Sequence, residues 1–462
     1  MKKDPLAPIR EQLSATPTTH WRSIEHKTGD ASVIESLDVE FPSGTMTPSG
    51  FNRRDALKLA GASVALASFA GCIRRPEQEI LPFNQAPEAV IPGVRLLYAT
   101  AMQRSEGAIG LIVEAHEGRP TKIEGNPNHP SSLGGSDVWA QAEILKLYDP
   151  DRARSPRTAG QSSTWDAWDA FAKETFSKHA EQKGKGLAFV VEDDCGPTFE
   201  RLLSMASRQL PEAKIYRFDP LAPDAALEGA QLAFGPGSRS HYELDKCKII
   251  FALDSDFLNV GPDHLRLARQ FEKNRGLLKN DDALKMNRLY VAEGVYSTTG
   301  ANADHRLRIA SGRGATLLKA VAHELSTKHG VDLGELSSAV ANADAGDAKK
   351  FVAALAKDLA AARGASLVVV GDRQPPAVHA FALALNIALQ AHETGLLKVS
   401  RRSDATPRIS HKASLENLTK SLNDGQVQTL VLLETNPLYT APGASRFADA
   451  LTKAATVIHA GV

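Results

Sequence analysis

Lys248-Ile249-Ile250-Phe251-Ala252-Leu253, followed at once by Asp254-Ser255-Asp256-Phe257-Leu258-Asn259, is the stretch that decides the fold class. Five consecutive apolar residues between a lysine and a polar loop are too few for a helix. They also lack the alternation of a strand with one wet face, so they read as a strand covered on both sides. Similar short runs recur at residues 187–192, 214–217, 288–292, 366–370, 427–433 and 456–459. Helical patterns at 315–327 and 377–391 lie between them and supply the covers. The expected class is therefore α/β, with mainly parallel sheet and crossover helices over residues 161–462.

Ahead of that region the rhythm differs. Residues 96–160 read as a small β element, with a strand at 110–115, a turn at Glu117-Gly118-Arg119-Pro120 and a return strand at 121–124. Trp165, Trp168, Ala172 and Phe176 then share one face of a helix. At the far end, the last strand runs into His459-Ala460-Gly461-Val462 with no covering helix after it, so the chain reads as part of a longer polypeptide.

The 54 basic and 54 acidic residues of this 462-residue chain balance, which gives no support to a nucleic-acid partner. Length alone allows two or three domains. Three cysteines, Cys72, Cys195 and Cys247, with no Cys-x-x-Cys pair, cannot supply the four thiolates of an ordinary iron–sulfur cluster. Cys195 and Cys247 read either as two buried thiols or as a pair in an oxidising compartment.

Asn52-Arg53-Arg54-Asp55 leads into a weakly apolar stretch ending Phe69-Ala70-Gly71-Cys72. The apolar part is short of the roughly 20 residues that cross a bilayer. An arginine pair, a mild apolar segment and a terminal Gly-Cys resemble a twin-arginine signal that ends in a lipoprotein box, with Phe69 in place of the usual leucine. Residues 51–72 are then the export signal, Arg53 and Arg54 its paired cations and Cys72 the lipid attachment site. The plainer reading is an amphipathic helix ending at Gly71 with Cys72 as a small buried residue. Residues 1–50 form a leader, disordered or partner-docking, with a landmark at His20-Trp21-Arg22-Ser23, and 73–95 a Pro-rich linker. The implied location is the periplasmic face of a bacterial inner membrane.

Gly118-Arg119-Pro120-Thr121-Lys122-Ile123-Glu124-Gly125-Asn126-Pro127-Asn128-His129-Pro130 is followed by Leu147-Tyr148-Asp149-Pro150-Asp151-Arg152, then Pro156 and Thr164-Trp165-Asp166-Ala167. In that order the blocks resemble the molybdopterin oxidoreductase family, and they imply its fold. Locally they have structural work: Gly125 permits unusual dihedrals, the prolines stiffen the loop, Thr164 or Asp166 caps a helix, and Arg152 can pair with a carboxylate. The loops at Asp254 to Asn259, Glu293 to Asp304 and Glu434-Thr435-Asn436-Pro437 resemble family loops that approach the pterin nucleotides. By that resemblance Asn126, His129, Asn302 and Asn436 are the family-like cofactor positions. Gly235-Pro236-Gly237 departs from a phosphate cradle, because proline lacks the N–H that a phosphate needs.

Members of the family that carry a cluster place three cysteines early and a fourth after the His-Pro loop, whereas residues 96–104 and 134–143 contain none. Together with the long leader and the arginine pair, this omission resembles the molybdopterin-like subunits of alternative complex III. The resemblance implies no catalytic residue, no metal and no cofactor in this chain, with iron–sulfur clusters in a ferredoxin-like part beyond it. It also implies membrane and cytochrome subunits as partners in a quinol-oxidising respiratory complex, and a lipid anchor in the membrane. The competing expectation is an active molybdopterin enzyme whose metal and cluster ligands come from other chains, and a third is an exported solute-binding domain.

Overall fold

The structure, a computed structural model, describes residues 90–104, 107–192, 196–276, 286–401 and 409–461. The chain divides between Ala86 and Pro87, and the described residues all belong to the second unit. The leader with Trp21, the signal with Arg53, Arg54 and Cys72, linker residues 73–89 and Cys195 lie outside the described residues.

The first element is an antiparallel meander of β1 (Leu96–Arg104), β2 (Gly107–His116) and β3 (Arg119–Gly125). Glu117 and Gly118, the two residues between β2 and β3, have φ of 53° and 79°, the left-handed pair that a tight hairpin with the strand twist requires. One side of the meander buries Ile109, Leu111 and Ile123 against Ala140 of the helix Val138–Tyr148. Asp137 begins that helix, its Oδ1 accepting from the Ala140 N–H at 2.7 Å.

Further along come the two-residue strands β4 (Arg157–Thr158) and β5 (Gln161–Ser162). They are followed by β6 (Leu187–Val191), β7 (Lys214–Arg217), β8 (Ser238–Tyr242), β9 (Ile249–Leu253) and β10 (Arg288–Glu293). The remaining strands are β11 (His305–Arg308), β12 (Ser366–Val370), β13 (Leu397–Arg401), β14 (Thr429–Leu433) and β15 (Thr456–Ala460). They form two separate four-stranded parallel sheets, in the orders β15-β14-β6-β7 and β11-β10-β9-β12, while β8 and β13 pair as an antiparallel ribbon. The expected parallel strands are thus present, but in two sheets. The chain leaves the first sheet after β7, builds the whole of the second, and returns to the first at β14.

β9 shows why an unbroken apolar run is required. Phe251 and Leu253 point into a core made with the helices Gly314–His329, Lys349–Ala361 and Pro376–Ala388, while Ile250 and Ala252 point into another with Leu244, Leu267 and Phe271. All four strand residues are fully buried. At roughly 2 kcal/mol or more for each large apolar side chain, this strand anchors both layers.

The helix Trp165–Glu181 is capped by Thr164, whose Oγ1 accepts from the Ala167 N–H at 3.2 Å, so Asp166 is a first-turn acid and not the cap. Only part of its expected apolar face is used. Trp168 and Phe176 pack beside Leu187, Val431 and Ile458, whereas Trp165 is 66% exposed. Among the described residues no helix is long and apolar enough to cross a membrane.

Candidate functional site

Open parallel sheets offer a crevice at the carboxyl ends of their strands, and the second sheet has one of about 410 Å³. Its floor is Asp254 to Phe257 after β9, Glu293 and Val295 to Ser297 after β10, and Gly371 to Arg373 after β12. Arg239 to Tyr242 of β8 form one wall, and His379 and Leu383 of the helix Pro376–Ala388 another.

Three of the four carboxylates on this floor are already engaged, and burial raises the pKa of the fourth, Asp372. Asp254 takes a left-handed backbone (φ 53°), its N–H donates to Ala292 O at 2.7 Å, and its Oδ2 accepts from Gln374 Nε2 at 3.2 Å. Asp256 Oδ1 accepts from both the N–H and the Oγ1–H of Thr299, each at 2.8 Å. Glu293, 2% exposed, accepts from Arg306 Nε at 2.6 Å and from Ser297 Oγ at 2.5 Å. A Cβ on Gly300 would sit 1.9 Å from Glu293 Oε1, so glycine is what admits that buried carboxylate.

His379 is the unusual group. It is 4% exposed, and its Nε2 has no hydrogen-bond partner. Burial lowers its pKa to about 4, with backbone hydrogen bonding at Gly371 and Gln374 acting in the opposite sense. The ring is therefore neutral near pH 7. Nothing in the sequence marked His379 or Gln374, since each lies in an ordinary helix or helix-start pattern.

A pterin dinucleotide, the cofactor that the fold implies, would place a pyrophosphate on N–H groups at such strand ends. The N–H groups after β10 and the helix start after β12 do not fit it. After β10 the Ser297 N–H faces Glu293 Oε1 at 3.4 Å, the Thr299 N–H is held by Asp256, and the Gly300 N–H donates to Ser297 Oγ at 2.9 Å. The helix after β12 opens on Pro375-Pro376, two positions without an N–H. Glu293, Asp256 and the Ser297 hydroxyl hold these three donors, and Arg239 and Arg373 also line the crevice. Among the described residues no group of three or more His, Cys, Asp or Glu could hold a metal ion. Cys247 is a free thiol, 2% exposed, just ahead of the amino end of β9 and so away from the crevice. Its Sγ lies 3.2 Å from Ile249 O, and burial raises its pKa, which disfavours a thiolate.

The family-like positions fall in three places. Asn126 and His129 share one loop: Asn126 N–H donates to Gly110 O at 2.9 Å, its carbonyl accepts from the N–H of His129 and of Gly134, and its Oδ1 caps Asn128 N–H. The His129 ring lies against Gly110, where a Cβ would come within 2.1 Å of it, and its Nδ1 is 2.8 Å from Ser131 Oγ. This loop packs on the first half of β2, ahead of the residues that pair with β3. Asn302 closes the short helix Thr298–Ala301, with Nδ2 donating to Thr298 O at 2.9 Å. Asn436 starts the helix Pro437–Thr440 after β14, in the other sheet. Arg152 has no side-chain partner among the described residues, so the expected carboxylate pair does not form there.

The meander is held to the rim of the crevice. Arg104 Nη2 lies 3.1 Å from both oxygens of Asp137, and His264 Nε2 lies 3.3 Å from Asp137 Oδ2. His264 is itself a wall of the crevice.

No family model matches the chain. It is 27% identical over 393 residues to the menaquinone reductase molybdopterin-binding-like subunit of Nitratidesulfovibrio vulgaris, covering 79% of this chain and 55% of that protein. The chain thus spans about half the length of the curated relative it matches. Among solved structures it is similar to acetylene hydratase from Pelobacter acetylenicus, with a TM-score of 0.55 at 11% identity over 76% of this chain and 59% of that one. The fold is molybdopterin oxidoreductase-like. The α/β class with mainly parallel strands is as the motif blocks of the sequence implied, and the structure adds the division into two sheets, the second inserted within the first.

Proposed function

We propose that this chain is the molybdopterin-like, cofactor-free part of an electron-transfer subunit in a quinol-oxidising membrane complex of the alternative complex III kind. Its work is architectural: the domain keeps its crevice closed to anions and presents its outer surfaces to membrane and cytochrome subunits. No residue acts on substrate. The observation that carries this reading is the capture of the Ser297, Thr299 and Gly300 N–H groups by the chain's own side chains, on a floor lined by Asp254, Asp256 and Glu293. The similarity to the molybdopterin-binding-like subunit of a menaquinone reductase supports the same class of complex. The test is metal content. Full-length protein, expressed with its leader in a host that makes the pterin cofactor, is expected to carry only background molybdenum and tungsten by mass spectrometry. A near-stoichiometric value would establish the competing reading of an active molybdopterin enzyme.

Location belongs to the same proposal. Arg53 and Arg54 direct export by the twin-arginine route, and Cys72 carries lipid at the periplasmic face. Changing both arginines to lysine is expected to keep the chain in the cytoplasm, because paired guanidinium groups are not matched by ammonium charges. Cys72→Ser is expected to remove an acyl mass from the amino-terminal peptide. Export of the double variant, or an unmodified Cys72 in the wild-type chain, would refute the corresponding assignment.

A further inference from the structure

The antiparallel ribbon of β8 and β13 has one strongly polar face, because its register sets Lys398 opposite His241 and Ser400 opposite Arg239. Residues opposite one another share a face. Ser400 Oγ is 2.9 Å from His241 Nε2, and across the same ring Nδ1 is 3.9 Å from Asp263 Oδ2. Asp263 comes from the start of the helix His264–Lys273, so three separate elements meet here. Ser400, His241 and Asp263 all line a groove of about 660 Å³, together with Pro130 and Ser131 of the His-Pro loop.

Charge fixes the direction of the bonds. At Asp263 burial opposes ionisation, but hydrogen bonding from His241 and the charge of Arg266, 2.9 Å away, prevail and hold the pKa below its ordinary 3.8. A carboxylate only accepts, so the ring proton is favoured on Nδ1, and the Nε2 lone pair is left for the Ser400 hydroxyl proton. A serine hydroxyl, an imidazole and an orienting carboxylate in that order make a nucleophilic site, and such contacts are commonly loose before a substrate binds. Lys398 and Arg239, on the same face as Ser400, supply positive charge for an oxyanion. Glu243 accepts from Lys398 Nζ at 3.1 Å and holds this ammonium on the groove.

We propose that this groove is an acyl-transfer site that hydrolyses short-chain carboxylic esters, with Ser400 as nucleophile, His241 as general base and Asp263 as the residue that positions the ring. The inference goes beyond the electron-transfer reading, in which no residue acts on the substrate of the complex. Ser400 Oγ bonds to the ester carbonyl carbon while its proton passes to His241 Nε2. Collapse of the tetrahedral species breaks the bond to the alkoxide, which leaves with that proton as the alcohol. Water then attacks the acyl-serine in the same way, releases the carboxylic acid and restores Ser400. Ser400 is exposed and the His241 side chain 43% exposed, so water screens the charges, and esters suit the groove better than amides, whose leaving groups need more help.

Full-length protein is treated with an alkyl fluorophosphonate, which bonds phosphorus to an activated serine oxygen and expels fluoride, and the labelled peptide is located by tandem mass spectrometry. The adduct is expected on Ser400. His241→Gln should slow labelling on the order of 100-fold, the contribution of a general base. Asp263→Asn should slow it less, and Asp263→Glu should restore most of the rate, which a loss of folding would not show. Hydrolysis of p-nitrophenyl acetate should fall to background in Ser400→Ala, with the thermal transition of wild type. Absence of an adduct on Ser400, unchanged labelling of His241→Gln, or undiminished hydrolysis by Ser400→Ala overturns the proposal. Metal content does not bear on it, so it fails or holds separately from the electron-transfer reading.

Discussion

Gly371→Ala is expected to lower the stability of the α/β region by about 3 kcal/mol or more, measured as a shift in its urea unfolding midpoint at constant slope. Gly371 follows β12 immediately, and its N–H donates to Leu253 O at 3.0 Å, so the ends of β9 and β12 are drawn together at this point. A Cβ there would lie 1.8 Å from Asp254 O, 2.6 Å from Asp254 C and 2.9 Å from Ser255 Cα. All three are backbone atoms, and no side-chain rotation relieves the overlap. The strain would fall on the left-handed Asp254 and on the floor of the crevice. Gly312→Ala is the matched control: nothing lies within 4 Å of its added Cβ, and its φ is ordinary. That change is expected to stay within about 0.5 kcal/mol of wild type. If Gly371→Ala did the same, the close approach of these two loops would be refuted.

The second large effect is a loss of stability in mild acid that disappears with His379. Its ordinary pKa of 6.5 falls to about 4 in the folded protein because burial penalises the charged ring. Between those values the unfolded chain binds a proton that the folded chain does not, so unfolding is favoured as pH falls. The contribution is absent above pH 6.5, grows through the window, and levels off below about pH 4. A shift of this size corresponds to about 3 kcal/mol in all. His379→Gln removes the titrating ring, and its stability should be flatter between pH 7 and 4. Burial raises the Asp372 carboxyl on the same floor, which acts in the opposite sense, so the His379 contribution is read from the difference between the two curves, and carboxylates held low are lost in stronger acid. At Asp224, for instance, burial opposes ionisation, but the hydrogen bond from His411 prevails and keeps the pKa below its ordinary 3.8, so its contribution is lost only in stronger acid. Parallel pH curves for wild type and variant would show that this ring is not held neutral.

The apolar runs were legible because burial on both faces of a strand leaves no room for polar residues. The runs at 214–217 and 366–370 are strands with those same limits, β7 and β12. The hairpin at Glu117-Gly118 was equally plain, since few residues accept two left-handed positions in succession. β8, β11 and β13 were not visible. Ser238–Tyr242 and His305–Arg308 carry polar residues at most positions and owe their pairing to neighbours that are distant in sequence.

For the candidate site the same division holds. The loops after β9, β10 and β14 could be named from their residues, and Asn126 and His129 could be placed in one loop. That the acids of those loops turn inward onto Thr299, Ser297 and Gln374 could not be read, because each bond joins residues tens of positions apart or depends on a side-chain direction.

Class, strand positions, family-like motifs, the shortage of thiols and the proposed export address are all read from the order of residues alone, since each depends on local periodicity or on plain presence. The assignment of strands to two sheets, the neutral buried His379 and the capture of the Ser297, Thr299 and Gly300 N–H groups by side chains required the folded chain. Pairing partners and solvent exposure are set by which surfaces meet in space, and the strands β6 and β9, nearly alike as apolar strings, carry no label for the sheet they join.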